Sequence, residues 1–135
     1  MKQEYIVGDV VEYDKKIMAI RELENIKCVG LSLPKEKIVR CYAPIWQLKP
    51  VPLTPKILEN NGWKLYEPST KMYIKSNSNL AVCFPPHSDK VQVYYVVEHL
   101  RTIKYVHEFQ HILWALGMDA DLKIPEKSDG KDAKP

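Results

Sequence analysis

The chain of 135 residues has the length of one ordinary domain, and its 45% apolar and 27% charged content excludes wholesale disorder and fibrous architectures. Its formal charge of +3 rests mostly on lysine, with arginine confined to Arg21, Arg40 and Arg101, and so few guanidinium forks argue against sequence-specific DNA recognition. Charges interrupt residues 1–13, unlike a signal peptide, and apolar runs such as Tyr94 to Val97 fall far short of the roughly 20 residues of a membrane span, so a cytoplasmic protein with no membrane partner is expected.

Residues 5–48 alternate apolar and polar positions between closely spaced turn signals. Ile6-Val7 precedes Gly8-Asp9, Val10 to Tyr13 precedes Asp14-Lys15, and Ile17 to Leu23, Ile26 to Leu33 and Ile38 to Tyr42 follow as strand-like runs. Ala43 to Leu48 then leads out of the region. About five strands with no helical period between them predict a small SH3-like β-barrel or curled sheet over residues 1–49, since closing or curling hides the edges. Cys28, Cys41 and Cys83 are odd in number, form no Cys-x-x-Cys pair and each sit in an apolar run, so they read as buried thiols of a reducing compartment.

Residues 50–124 form a second, α+β subdomain that is expected to make one compact unit with the first. The prolines of Lys49-Pro50-Val51-Pro52-Leu53-Thr54-Pro55 hold the backbone extended and mark the boundary. Thr54 is placed to cap a helix, Pro55 suits its first position, Leu53 and Leu58 can staple its start, and Asn61-Gly62 ends it after about two turns. Trp63 to Glu67, Lys71 to Lys75, Leu80 to Phe84 and Val91 to Val97 predict a four-stranded antiparallel meander joined by short turn-rich connections. A long helix is predicted over Leu100 to Leu116, with Tyr105, Val106, Phe109, Ile112, Leu113 and Leu116 on the arc that faces the sheet. Residues 125–135, rich in charge and without a large apolar group, predict a disordered tail.

His107-Glu108-Phe109-Gln110-His111 on that helix matches the H-E-x-x-H pattern, in which two histidines one turn apart grip zinc and the glutamate takes a proton from the bound water. Residues four apart differ by about 40° around a helix, so both rings could reach one ion. The third ligand is what the chain lacks. In the extended form of the motif Trp114 stands where glycine belongs and Gly117 where the last histidine belongs, and the downstream carboxylates Asp119, Asp121 and Glu126 follow no second helix. On the helical wheel His107 and His111 lie beside Lys104 and Glu108, away from the core arc, which predicts surface or edge histidines. His87 in a proline-rich loop and His99 near the helix start read as solvated, and Tyr94 and Tyr95, being adjacent on a strand, point to opposite faces and cannot both join one stacking platform. Phosphate-binding glycine motifs and a G-x-S-x-G elbow are absent from the sequence.

Two segments, Pro50-Val51-Pro52-Leu53-Thr54-Pro55-Lys56-Ile57-Leu58-Glu59-Asn60-Asn61-Gly62-Trp63 and Ile103-Lys104-Tyr105-Val106-His107-Glu108-Phe109-Gln110-His111, resemble a family of small uncharacterised proteins of Bacteroidetes genomes, their phages and mobile elements. Its members also tend to open with a glycine-containing strand like Val7 to Tyr13. The resemblance covers most of residues 5–124 and implies no activity, but in the family the position of Glu108 is often glutamine and that of His111 often asparagine. A glutamine cannot serve as the base. The expected function is therefore a non-catalytic binding or accessory module of a phage or mobile element, with a protein or nucleic-acid partner and no cofactor. The alternative is a minimal zinc-dependent hydrolase with His107 and His111 as ligands and Glu108 as base, and a third reading is non-specific nucleic-acid binding through lysines.

Overall fold

Asp14 and Lys15 have φ angles of 53° and 65°, the left-handed pair whose twist suits a two-residue hairpin. Across this turn β1 (Val10–Tyr13) and β2 (Lys16–Leu23) pair antiparallel, Tyr13 opposite Lys16 and Val10 opposite Ala19. The computed structural model describes residues 5–24, 27–34, 36–75, 78–96 and 98–124. Among these the chain is α+β, with two five-stranded antiparallel sheets and two short α-helices. It divides into two compact units, one running up to Val51 and resuming at Ile124, the other spanning Pro52–Lys123. The expected tail over residues 125–135 lies outside the described residues, as do Ile26 and Val97 at the ends of two predicted strands.

In the first unit β3 (Cys28–Ser32), β4 (Cys41–Pro44) and β5 (Lys49–Pro50) complete a sheet of order β4-β3-β2-β1-β5. A closed barrel is not formed. β5 has two residues, pairs with β1 through Val11 and Glu12, and ends in Pro50, which has no N–H with which to extend a ladder. The strand expected at Ile38 begins at Cys41 instead, because the chain before it is a turn: Glu36 N donates to Leu33 O, the Ser32 hydroxyl reaches Glu36 O, and the Arg40 guanidinium grips both Glu36 oxygens at 2.7 and 2.8 Å. Ile45–Gln47 make one 3-10 turn between β4 and β5, so the segment read as a way out of the region returns to it. Val11, Met18, Ile20, Val29, Leu31, Ala43 and Leu48 form the core. Each of these side chains larger than alanine contributes about 1.5–3 kcal/mol by leaving water. Cys28 and Cys41 are only partly buried, unlike Cys83, and Cys41 packs at the margin of this core.

The second unit opens with α1 (Pro55–Asn60), where Thr54 Oγ1 accepts from Ile57 N and Pro55 takes the first helical position. The helix buries Ile57 and Leu58 and stops at Asn61-Gly62, Gly62 having a φ of 89°. β6 (Lys64–Glu67), β7 (Met72–Ile74), β8 (Leu80–Cys83), β9 (Val91–Tyr95) and β10 (Glu98–Ile103) follow, each antiparallel to the next. The fifth strand corrects the sequence reading. The helical period of residues 105–116 does not reach back to Leu100, which lies opposite the core arc; Arg101, Thr102 and Ile103 lie opposite Val93, Gln92 and Val91, so β9 satisfies their backbone and the helix starts later. That helix, α2 (Val106–Ala115), buries Val106, Phe109, Ile112 and Leu113, and the Phe109 ring meets Trp63 edge-on at 5.6 Å.

Val96, in the turn between β9 and β10, has a φ of 50° and is 54% exposed. A β-branched residue in the left-handed region is strained by about 1–2 kcal/mol. Asparagine tolerates that conformation, so Val96→Asn is expected to raise unfolding stability by about 1 kcal/mol in urea titrations. An unchanged or lowered stability would show that the exposed valine carries no strain.

Candidate functional site

The H-E-x-x-H residues sit where β10 turns into α2. A helix start leaves N–H groups without carbonyl partners. Tyr105, the residue ahead of the helix, is extended at φ −117° and ψ 155° and has no hydroxyl near enough in the chain to act as a serine or threonine cap does. Glu108 at the third helical position folds back in its place: its Oε1 accepts from Lys104 N at 2.9 Å and Tyr105 N at 3.0 Å. The carboxylate that the zinc-hydrolase alternative would use as its base is therefore engaged by two backbone donors at the positive end of the helix. A glutamine oxygen could accept the same two bonds.

His107 is 1% exposed, which corrects its placement on the open side of the helical wheel. The wheel assumed one covered face. In the structure Gln110, three residues on, is buried as well, and its Nε2 donates to Ala120 O at 3.1 Å. The chain after α2 turns back to make this possible: Gly117 has a φ of 72°, Gly117 N and Met118 N donate to Trp114 O and Leu113 O, and Ala120 and Leu122 are buried. Lys123 N and O then close on the Asn61 side chain at 2.7 and 2.9 Å.

The rings of Tyr105, His107, His111 and Trp114 follow one another along this flank. Tyr105 stacks on His107 at 6.0 Å, His107 meets His111 edge-on at 5.7 Å, and His111 stacks on Trp114 at 5.9 Å. The two histidines are thus neighbours, as the spacing required. Among the described residues, however, no group of three His, Cys, Asp or Glu side chains is placed to hold a metal ion, and Asp119 and Asp121 line a different hollow. A catalytic zinc needs three protein ligands and a base free to meet water, and here the Glu108 carboxylate is engaged by its own backbone. Burial pushes the His107 imidazole down to about 4 from its ordinary 6.5, with Glu108 pulling it up and His111 pushing it further down.

His99 is exposed as expected but stands on β10, where its Nε2 is 2.7 Å from Gln92 Oε1 and its ring meets Tyr94 edge-on. His87 is exposed in a loop. A cleft of about 320 Å³ lies between the end of α1 and the returning chain, with Asn60, Lys75, Asp119 and Lys123 at its rim over Trp63 and Leu113. Its rim carries both signs of charge.

The first unit holds an arrangement that the motif search passed over. Gly30 on β3 lies opposite Tyr42 on β4, and a Cβ there would stand 3.1 Å from the Tyr42 ring and 3.2 Å from Val39. The absent side chain lets the phenol lie across the strand to β2, where its hydroxyl donates to Glu22 Oε1 at 3.0 Å. That bond, with the charges of Glu22 and Glu24, pushes the hydroxyl pKa up. Tyr42 remains 52% exposed, and Ile38 and Trp46 in the same unit are 77% and 72% exposed. A glycine within a strand run is the one sequence signal of a close approach of this kind.

No protein-family model, curated protein or solved structure matches the chain. Among the described residues no helix is long and apolar enough to cross a membrane.

The buried His107 makes stability depend on pH. Its folded pKa lies below the unfolded value, so between about pH 6.5 and 4 the unfolded chain takes up a proton that the folded chain refuses, and stability falls as the pH drops through that window. From pH 7 to 4.5 this amounts to about 2 kcal/mol. Urea unfolding should show wild type losing that much more stability over the interval than His107→Gln. Equal losses, or a His107 ring that titrates near 6.5 by NMR, would contradict the buried neutral imidazole.

Proposed function

We propose that the chain is a non-catalytic binding module, accessory to a phage or mobile element, whose first unit is SH3-like and takes a peptide segment carrying a lysine or arginine. The observation that carries this reading is the Tyr42 ring laid across Gly30 and anchored to Glu22. A half-exposed phenol bonded to a carboxylate gives an apolar face for a side chain beside negative charge for a cation. The second carboxylate of Glu24 lies close enough to act on the same hydroxyl. A phosphate backbone would be repelled there, so a protein partner is favoured over nucleic acid.

The strand order β4-β3-β2-β1-β5, with a 3-10 turn leading into the last strand, supports the SH3-like reading. Small β folds of this kind bind extended peptides against exposed aromatics, which is an argument from analogy of fold. The engagement of Glu108 by backbone donors supports a role without catalysis. The likeness of residues 50–63 and 103–111 to proteins of mobile elements supports the accessory role.

A displayed library of random short peptides, run beside poly-uridine and poly-thymidine single strands, tests the proposal. Enriched peptides should share a lysine or arginine next to an aliphatic residue or proline, and Tyr42→Ala and Glu22→Gln should each weaken binding roughly tenfold. An empty selection, or binding confined to the homopolymers with a steep salt dependence, would overturn it.

A further inference from the structure

The sheet of the second unit ends at β6, and all four of its residues are exposed, Leu65 at 47% and Tyr66 at 65%. At the opposite edge the chain beyond β10 already meets other backbone, since Lys104 O accepts from Leu53 N and Tyr105 bridges to Pro52. An edge strand with apolar side chains and open N–H and C=O groups is a template for another strand.

The pairing of β6 with β7 has a bulge that sets the chemistry of this edge. Lys64 lies opposite Ile74, Leu65 opposite Tyr73 and Glu67 opposite Met72, so Tyr66 is one residue too many. Ile74 and Met72 are two apart on their strand and share a face, and their partners Lys64 and Glu67 therefore share it too. In a regular strand, residues three apart would point to opposite faces. Edge bulges ordinarily blunt a strand by twisting it away from a newcomer. This one lines up a lysine and a glutamate on one face, on either side of an apolar pair.

We propose that β6 pairs antiparallel with β6 of a second copy of this chain. The two-fold axis of such a pair is perpendicular to the sheet and returns each face to itself. With the axis through Leu65-Tyr66, Lys64 stands opposite Glu67 of the second copy and Glu67 opposite its Lys64, on the same face, while the apolar pair meets its own image. Opposite charges facing one another across strands are favourable and like charges are not. Glu67 holds its own Ser69 hydroxyl through Oε2 at 2.7 Å, which keeps the carboxylate close to the strand. A four-residue strand buries much less than the roughly 1,000 Å² of a lasting interface, so the association is weak and appears at high protein concentration. This inference concerns the second unit and stands apart from the peptide site on the first.

Sedimentation equilibrium from micromolar to millimolar concentration tests it, using wild type, Lys64→Glu, Glu67→Lys and the double variant. Both substituted positions are exposed, so the fold should be retained, which circular dichroism checks. Wild type should dimerise, each single reversal should weaken the dimer at least roughly tenfold by setting like charges face to face, and the double variant should restore it. The decisive arm is a mixture of the two single variants. One then carries two glutamates and the other two lysines, and the mixture should form a heterodimer where neither does alone. A wild type that stays monomeric throughout, or a dimer indifferent to these changes, would overturn the proposal.

Discussion

Two backbone N–H groups, those of Lys104 and Tyr105, have neither a strand partner nor a helix carbonyl at the point where β10 becomes α2, and the Glu108 carboxylate takes both. The carbonyl of the same Lys104 accepts from Leu53, just ahead of α1, and Tyr105 bridges to Pro52. One side chain thus holds the segment against which both helices of the second unit begin. Losing a cap of this kind costs a helix about 0.5–2 kcal/mol, a large fraction of the few kcal/mol by which a domain is stable.

That use of Glu108 sets the surroundings of its neighbours. An H-E-x-x-H stretch catalyses only when the glutamate faces water and a third ligand completes the metal cage. Here the carboxylate is turned to its own backbone, and His107 lies buried between Tyr105 and His111, where burial keeps its imidazole neutral at ordinary pH. Polar groups of the second unit are spent inward in the same way at Gln110, which holds Ala120, and at Asn61, which holds Lys123. The first unit does the reverse, leaving Tyr42 half-exposed over a glycine and beside carboxylates.

Local signals were legible where one residue type answers one backbone need. Thr54-Pro55 starts α1 and Gly62 ends it, and Asp14-Lys15 makes the first hairpin. The helix expected from Leu100 carries the period of residues 105–116 too far back, and pairing with β9 is what marks Glu98–Ile103 as a strand. The placement of His107 on the open side fails because a helical wheel assumes one covered face, and this helix buries His107 and Gln110 as well. β5 was hidden in a proline-rich stretch, since a strand of two residues has no periodicity to show. Tyr42 and Gly30 are twelve residues apart, and their contact depends on a register that no local pattern encodes.

The central claim is that Glu108 serves the backbone, and amide hydrogen exchange at Lys104 and Tyr105 tests it most directly. Both amides should be protected in the wild type and in Glu108→Gln, and should exchange at least roughly tenfold faster in Glu108→Ala. Amides that exchange freely in the wild type, or that ignore the alanine, would contradict the account and return Glu108 to the chemistry its motif suggests.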